Sequence, residues 1–261
     1  MSRKAAQTGP GAMVLVAMEQ YFPEAERIIN DDLAREILPL AFRAEVRLIG
    51  PVKDWVIRKS EAKVPGLWGG IMGRKRYIDD KVTESADGHI DAVVNLGAGF
   101  DTRAFRLPAL AEVPVWEVDQ PRSIDAKRSR LEKLFKQVPE HVTLVPIDFD
   151  HEDLGTVLAS HGYSPDRRTF FIWEGVTQYV TEAGIRATCD FMAKVPPGSR
   201  LVMTYTPKDF IDGETFYGQE YLYKQMLVKD KIWLFGLDPE KVSDFIGEYG
   251  WRVVEHLGYD E

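Results

Sequence analysis

Residues 92–107 read Ala92-Val93-Val94-Asn95-Leu96-Gly97-Ala98-Gly99-Phe100-Asp101-Thr102-Arg103-Ala104-Phe105-Arg106-Leu107, and this order of residue types describes a strand, a glycine turn and the opening of a helix. Ala92 to Leu96 form a short apolar run of the kind found in a parallel strand covered on both faces. Gly97 and Gly99 carry no Cβ, so the backbone can turn sharply there and approach a ligand closely. Asp101 or Thr102 can cap the helix that follows. The free amides at its start attract an anionic or zwitterionic group.

The surroundings decide which ligand. A dinucleotide fingerprint G-x-G-x-x-G would place glycine where this chain has Thr102, which weighs against NAD. About twenty residues on, Pro114-Val115-Trp116-Glu117-Val118-Asp119 reads as a second strand ending in acid. A carboxylate in that place can grip ribose hydroxyls, a device shared by nicotinamide and S-adenosylmethionine enzymes. A third strand, Val142-Thr143-Leu144-Val145, runs into Pro146-Ile147-Asp148-Phe149-Asp150, and a fourth, Thr169-Phe170-Phe171-Ile172-Trp173, runs into Glu174-Gly175. Four strands thus deliver acid or glycine at their carboxyl ends.

Three stretches together, Asn95-Leu96-Gly97-Ala98-Gly99-Phe100-Asp101-Thr102-Arg103, Glu117-Val118-Asp119-Gln120-Pro121 and Trp173-Glu174-Gly175-Val176-Thr177-Gln178-Tyr179, resemble the leucine carboxyl methyltransferase-like group of class I S-adenosylmethionine-dependent methyltransferases, bacterial O-methyltransferases among them. The likeness extends more weakly over residues 31–250. It implies that Gly97 and Gly99 approach the methionine part of S-adenosyl-L-methionine, that Asp119 holds the ribose, and that Asp148 with the Phe149 amide reads the adenine edge. Glu174 would sit near the cofactor's amino group. Gly73-Arg74-Lys75-Arg76-Tyr77-Ile78-Asp79-Asp80 looks like the family's R-x-R-aromatic-x-D-D helix, in which Arg74 rather than Arg76 would reach the cofactor carboxylate; the alternative is a solvated basic turn. Ala98, Asp101, Arg103, Gln120 and Gly175 complete the expected cofactor contacts by their place in the same motifs.

Composition bounds the rest. A hydrophobic content of 44% over 261 residues suits one α/β domain with additions. The formal charge of -8 argues against a nucleic-acid backbone as partner. Cys189 is the one cysteine, so no internal disulfide forms, and a small buried residue is its expected role. Met1-Ser2-Arg3-Lys4 with the apolar residues 12–18 mimics a signal peptide, but Gly9-Pro10-Gly11 interrupts it and no A-x-A site follows. No apolar run approaches the roughly twenty residues of a membrane helix. A soluble, cytoplasmic protein with no membrane partner is expected. His141, His151 and His161 lack ligand spacing, so no metal is expected, and neither a G-x-S-x-G elbow nor a P-loop occurs.

In chain order, residues 1–11 read as a loose tail, because Gly9-Pro10-Gly11 opposes a helix. Helices are expected over 12–21, from Pro23 through Ile29, and over 31–38 with acids at the amino end; Pro65 to Gly70 should break the chain before the Arg74 segment. Residues 122–137 form an amphipathic helix with Ile124, Leu131, Leu134 and Phe135 inward. A helix over 181–193 precedes a fifth strand, 200–205, and a helix over 239–249 leads to a sixth strand, 251–256. Residues 207–230 make an aromatic insertion, in which Phe210, Phe216 and Tyr217, with Tyr179 and Tyr205 nearby, are candidates to line an acceptor pocket or simply to form core.

The expected architecture is therefore a doubly wound, mostly parallel, Rossmann-like methyltransferase sheet: a tail and helical cap over 1–90, the cofactor core over 91–206, a substrate-side insertion over 207–238 and the end of the core over 239–261. The class also carries a seventh, antiparallel strand, and this sequence stops at Glu261 before one. The expected reaction is methyl transfer to a carboxylate or hydroxyl of a small molecule. An NAD-dependent oxidoreductase, a methyltransferase of protein carboxyl termini and a non-catalytic cofactor binder stand as alternatives.

Overall fold

Five short runs rich in β-branched and aromatic side chains become strands: β1 (Ala92–Leu96), β2 (Val115–Asp119), β3 (Val142–Pro146), β4 (Thr169–Trp173) and β5 (Arg200–Met203). In the computed structural model, which describes residues 9–149 and 151–258, they form one parallel sheet in the order β3-β2-β1-β4-β5. Leu96 pairs with Val118 and Asn95 with Ile172, so the turn after β1 lies level with the ends of both neighbours. Every residue of β1 and β4 is buried, as expected of central strands covered on both faces. The chain steps from β1 out to β3, then crosses to β4 on the other side. The crevice at that reversal is where open α/β sheets bind ligands.

Among the described residues, four α-helices precede β1: α1 (Gly9–Glu19), α2 (Leu40–Ile49), α3 (Lys53–Glu61) and α4 (Leu67–Ala86). The strands alternate with α5 (Arg103–Arg106), α6 (Pro121–Phe135), α7 (Leu154–Ser160) and α8 (Glu182–Met192). After β5 come α9 (Lys208–Asp212), α10 (Glu220–Tyr223), a π-helical turn (Lys224–Lys229) and α11 (Val242–Gly247). The two-residue period of the strands splits the core into two layers. Val93, Phe170 and Ile172 pack toward the amino-terminal helices with Met18, Leu38, Met72 and Ile78. Val94, Phe171 and Trp173 face the opposite side with Ile185, Cys189 and Phe245.

Several expectations from the sequence need correcting. Gly9-Pro10-Gly11 lies inside α1, where Pro10, Met13, Val14 and Met18 are buried; packing overrides the poor local propensity, and residues 1–8 of the expected tail lie outside the described residues. The segment from Pro23 to Ile29 makes only a 3-10 turn, Glu24–Glu26. Residues 31–38 form successive turns rather than a helix, with Asp31 Oδ1 accepting from the Leu33 amide at 3.1 Å. Gly69 and Gly70 are inside α4. Phe135 is exposed and stacks on Phe105, because the buried stripe of α6 is Ile124, Lys127 and Leu131. Residues 251–256 run as irregular chain instead of a sixth strand. Trp251 packs edge-on against Phe171, and Glu255 accepts from Tyr77 Oη at 2.5 Å and Lys81 Nζ at 2.9 Å, so side-chain anchors hold a segment the sheet does not.

Truncating Ile172, 1% exposed at the centre of the sheet, to Ala should destabilise the protein by about 2–5 kcal/mol in urea unfolding. Leu48→Ala, at a side chain 78% exposed on α2, should change stability by no more than about 0.5 kcal/mol. Equal losses at the two positions would contradict this division of core and surface.

Candidate functional site

The turn between β1 and α5 is held by backbone and acid together. The Gly97 and Ala98 amides donate to the Val118 carbonyl at 2.7 and 3.0 Å. Gly97 has φ +73, and a Cβ there would meet Val176 Cγ2 at 2.3 Å. Asp119, at the end of β2, accepts from the Gly99 amide at 2.7 Å through Oδ2 and from the Gln120 amide at 2.6 Å through Oδ1. With the Ser123 side chain as a third donor, the carboxylate keeps one lone pair for a hydroxyl. Burial pushes the Asp119 carboxyl upward, against the pull of those two amides, Ser123 and Lys127. Of the two candidate caps, Asp101 takes the role, its Oδ1 accepting from the Arg103 amide at 2.7 Å.

On the other side of the crevice a cluster of buried charge surrounds Arg103, which is 1% exposed. Its Nε donates to Asp79 Oδ1 at 2.6 Å, its Nη1 to Glu174 Oε2 at 2.8 Å and to Asp101, and its Nη2 to the Lys75 carbonyl at 3.2 Å. Glu174 also receives Arg74 Nε at 2.9 Å and Lys75 Nζ at 3.4 Å. Arg106 joins Asp79 at 2.6 Å and Asp31 at 3.4 Å, and Thr102 Oγ1 donates to Asp31 at 2.5 Å. Burial alone would raise the Asp101 carboxyl, but Arg103 and Lys75 outweigh it and hold the group at about 2. The same contest, won by Lys75, Arg103 and Arg74, keeps Glu174 well below the ordinary carboxylate range. Both are anions at neutral pH. Burial raises the Asp31 carboxyl, and Arg106 and Thr102 offset part of that rise.

Arg74 is the half-exposed member of the cluster, its side chain 33% accessible. Its guanidinium lies over Gly175, where an added Cβ would sit 3.3 Å from Nη2 and where φ is +68. The Gly175 amide donates to Thr204 Oγ1 at 2.7 Å, and Thr177 Oγ1 donates to the Thr204 carbonyl at 2.8 Å. β5 thereby fixes the turn that presents Glu174.

Asp148 follows β3 beside Asp119; its amide donates to Glu152 at 2.8 Å and its carboxylate lies 3.0 Å from His151 Nδ1. The Phe149 ring is buried in the second core layer. Phe210 is 3% exposed between Tyr223 and Trp233, Phe216 packs on Tyr223, and Tyr179 packs edge-on against Trp233. Tyr217 is exposed and donates to Asp209, while Tyr205 Oη lies 2.7 Å from His256 Nε2. Cys189 is buried, and burial with Asp190 nearby pushes its thiol up to about 12, which removes it as a nucleophile at neutral pH. Among the described residues no group of three or more His, Cys, Asp or Glu is arranged to hold a metal ion, and no helix is long and apolar enough to cross a membrane. Sequence reasoning passed over Lys75, Asp79, Arg106, Asp31 and Lys127; it offers Glu117 as the alternative to Asp119 at the ribose, whereas the structure buries Glu117 against Lys127. The first two were detectable in principle, since Lys75 and Asp79 fall four apart on one face of a helix.

A parallel sheet with this reversal, a glycine turn after β1 and acids after β2 and β4 is the Rossmann-like fold of class I methyltransferases. The model of the leucine carboxyl methyltransferase family matches residues 11–193, and the chain belongs to that family. It is 31% identical over 260 residues, 95% of this chain and 84% of the other, to a protein of Mycobacterium avium (strain 104). It is 30% identical over 197 residues to a protein of Mycobacterium sp. (strain JLS), covering 70% of this chain and 62% of that one, so the match spans less than two thirds of the relative. Both relatives are named as S-adenosyl-L-methionine-dependent methyltransferases. Among solved structures, a protein of Thermobifida fusca named as a methyltransferase superposes with TM-score 0.55 at 15% identity, covering 96% of this chain and 88% of that one. An O-methyltransferase family protein of Burkholderia thailandensis gives 0.52 at 16% identity, covering 95% and 69%. These two likenesses show the fold.

S-adenosyl-L-methionine is the cofactor that the family implies, and the residues fit it. The Gly97 and Gly99 turn leaves bare backbone, Asp119 offers a carboxylate acceptor to a ribose hydroxyl, and Arg74 with Glu174 offers opposite charges for an amino-acid group.

The folded Asp101 carboxyl lies at about 2, below its ordinary 3.8. The stability it contributes is therefore present above 3.8 and is lost as pH falls toward 2. Thermal midpoints should fall across this window, and the fall should be shallower in Asp101→Asn, whatever that variant's stability at neutral pH. Identical slopes would show that Asp101 is not held ionised.

Proposed function

We propose that the protein transfers the methyl group of S-adenosyl-L-methionine to an oxygen of a small molecule, most simply a carboxylate. The observation that carries this reading is the convergence of Asp119, Glu174 and Arg74 around the Gly97 turn, one group for each polar part of that cofactor. In this reading Gly97 and Gly99 let it approach the backbone, Asp119 accepts from a ribose hydroxyl, and Asp148 with the Phe149 amide meets the adenine edge. Glu174 and Arg74 take the amino and carboxylate ends of its methionine part. Ala98, Asp101, Arg103, Gln120 and Gly175 hold the turns on which those contacts depend.

The bound cofactor supplies a methyl group already activated on a sulfonium. The chain's task is then to align the acceptor oxygen and to exclude water. The amino-terminal helices and residues 207–238 are the proposed acceptor side. Tyr179, Tyr205, Phe216 and Tyr217 are its candidate contacts, with Phe210 supporting them from within the ring cluster. A carboxylate acceptor, with a pKa near 4, is ionised at neutral pH and needs no proton removed. The family's name points the same way. A hydroxyl acceptor would need a base, for which Asp209, bonded to Tyr217, and the exposed His151, paired through Nδ1 with Asp148, are the candidates.

Calorimetry with S-adenosylhomocysteine and NAD tests the cofactor. Asp119→Ala should weaken S-adenosylhomocysteine binding by about 1–3 kcal/mol, the scale of an unpaired buried polar group. Tight NAD binding with no response to S-adenosylhomocysteine would refute the assignment. Once an acceptor is found, the rate of the methyl-transfer step should be flat from about pH 6 to 9 for carboxylate attack. A rate that rises with one ionisation near 7 and vanishes with one His or Asp would establish base-assisted hydroxyl methylation instead.

A further inference from the structure

Beneath the cofactor turn lies an ion pair that the proposed reaction does not use. Lys127 and Glu117 are both 0% exposed, and Lys127 Nζ donates to Glu117 Oε1 at 2.7 Å. Lys127 stands in the inward stripe of α6 between Ile124 and Leu131, a position where leucine would be the ordinary choice. A buried ion pair is a poor means of stabilising a fold, because desolvation offsets the attraction and apolar residues of similar volume often do as well or better. Here the cost is plain. Burial pushes the Glu117 carboxyl up to about 7 even with Lys127 beside it, and Glu117 Oε2 has no hydrogen-bond partner.

The placement of the pair suggests what it does. Glu117 and Asp119 are two apart on β2 and so lie on one face of the strand. α6 begins directly after Asp119, and its Gln120 amide and Ser123 side chain both donate to the Asp119 carboxylate. Lys127, one turn beyond Ser123, reaches back to Glu117, so the first two turns of α6 are clamped to β2 at both carboxylates. The Lys127 charge also favours the ionised forms of Asp119 and Asp101. Its ammonium lies 5.5 Å from the Phe105 ring centroid, on the segment that follows the glycine turn.

We propose that Lys127, held by Glu117, is a positioning residue for cofactor binding: it fixes α6 against β2 so that the Gln120 amide and Ser123 keep the Asp119 carboxylate aimed at a ribose hydroxyl. This rests on the reading that Asp119 holds the ribose of S-adenosyl-L-methionine. The pair is then retained for geometry and charge at Asp119, not for stability.

The single variant Lys127→Met strands a buried carboxylate and risks unfolding, so the informative protein is Glu117→Leu/Lys127→Met, which replaces the pair by apolar residues of similar size. Circular dichroism and thermal melting should show it folded, with a midpoint at or above that of the wild type. Calorimetry should show S-adenosylhomocysteine affinity reduced by about tenfold or more, and the same replacement in an Asp119→Asn background should cost less than about twofold, because the effect runs through Asp119. Wild-type affinity in the folded double variant would overturn the proposal, as would an equal loss in both backgrounds. Failure of the wild-type protein to bind S-adenosylhomocysteine, or an undiminished affinity in Asp119→Asn alone, would instead overturn the underlying reading of the site.

Discussion

A guanidinium cannot give up its proton, so burying Arg103 obliges the surrounding structure to supply negative charge and hydrogen-bond acceptors. Three elements distant in sequence answer that demand: Asp79 from α4, Asp101 from the glycine turn and Glu174 from the end of β4. Leaving any one of them out would strand charge in the interior. α4, the turn after β1 and the end of β4 are therefore tied to one another through Arg103. The pull of Asp101, Glu174 and Asp79 raises the affinity of Arg103 for its proton, outweighing burial. Asp101 and Glu174 are correspondingly held ionised.

This cluster places the opposed charges of Arg74 and Glu174 at the mouth of the crevice. Glu174 is spoken for on its inner oxygen by Arg103 and Lys75, and on its outer one by the partly exposed Arg74. In the proposed reading an amino-acid group would meet a carboxylate fixed from behind by Arg103 and Lys75 and a partly exposed guanidinium in front, already paired to that carboxylate. Preorganisation of this kind lowers the ordering cost of binding, since the rigid half is already in place.

The five strands and the turn after β1 were legible in the sequence because their signals are local. A β-branched run followed by Gly97-Ala98-Gly99, and acids two or fewer residues beyond apolar runs, specify an element and where it ends. The amino-terminal cap was not legible for the opposite reason. Pro10 and Gly11 are poor helix residues that packing holds helical, whereas residues 31–38 carry helical spacing but spend Asp31 on Thr102 and Arg106 instead of on a helix end. Residues 251–256 have strand composition, yet strand composition without a hydrogen-bonding neighbour leaves a chain tied down by Trp251, Glu255 and His256 side chains. The motif marks Arg103 as a cofactor contact, and nothing in spacing alone reveals that four of its five N–H donors go to Asp79, Asp101, Glu174 and the Lys75 carbonyl.

The segment after β5, which the proposed function turns toward the acceptor, is held together differently, and the difference matters for how specificity can arise there. Around α9 and α10 the dominant contacts are rings on rings, Phe210, Tyr223, Phe216 and Trp233, with a π-helical turn at Lys224–Lys229 and exposed Tyr217 and Tyr221. Aromatic packing tolerates exchange of one ring for another at modest cost, whereas removal of one member of a buried charge cluster leaves its partners unpaired. Substitutions among these rings can therefore reshape the surface offered to an acceptor without passing strain to Arg103 or Asp119. The same chain thus combines a buried charge cluster, in which each group depends on its partners, with an aromatic segment whose rings pack on one another.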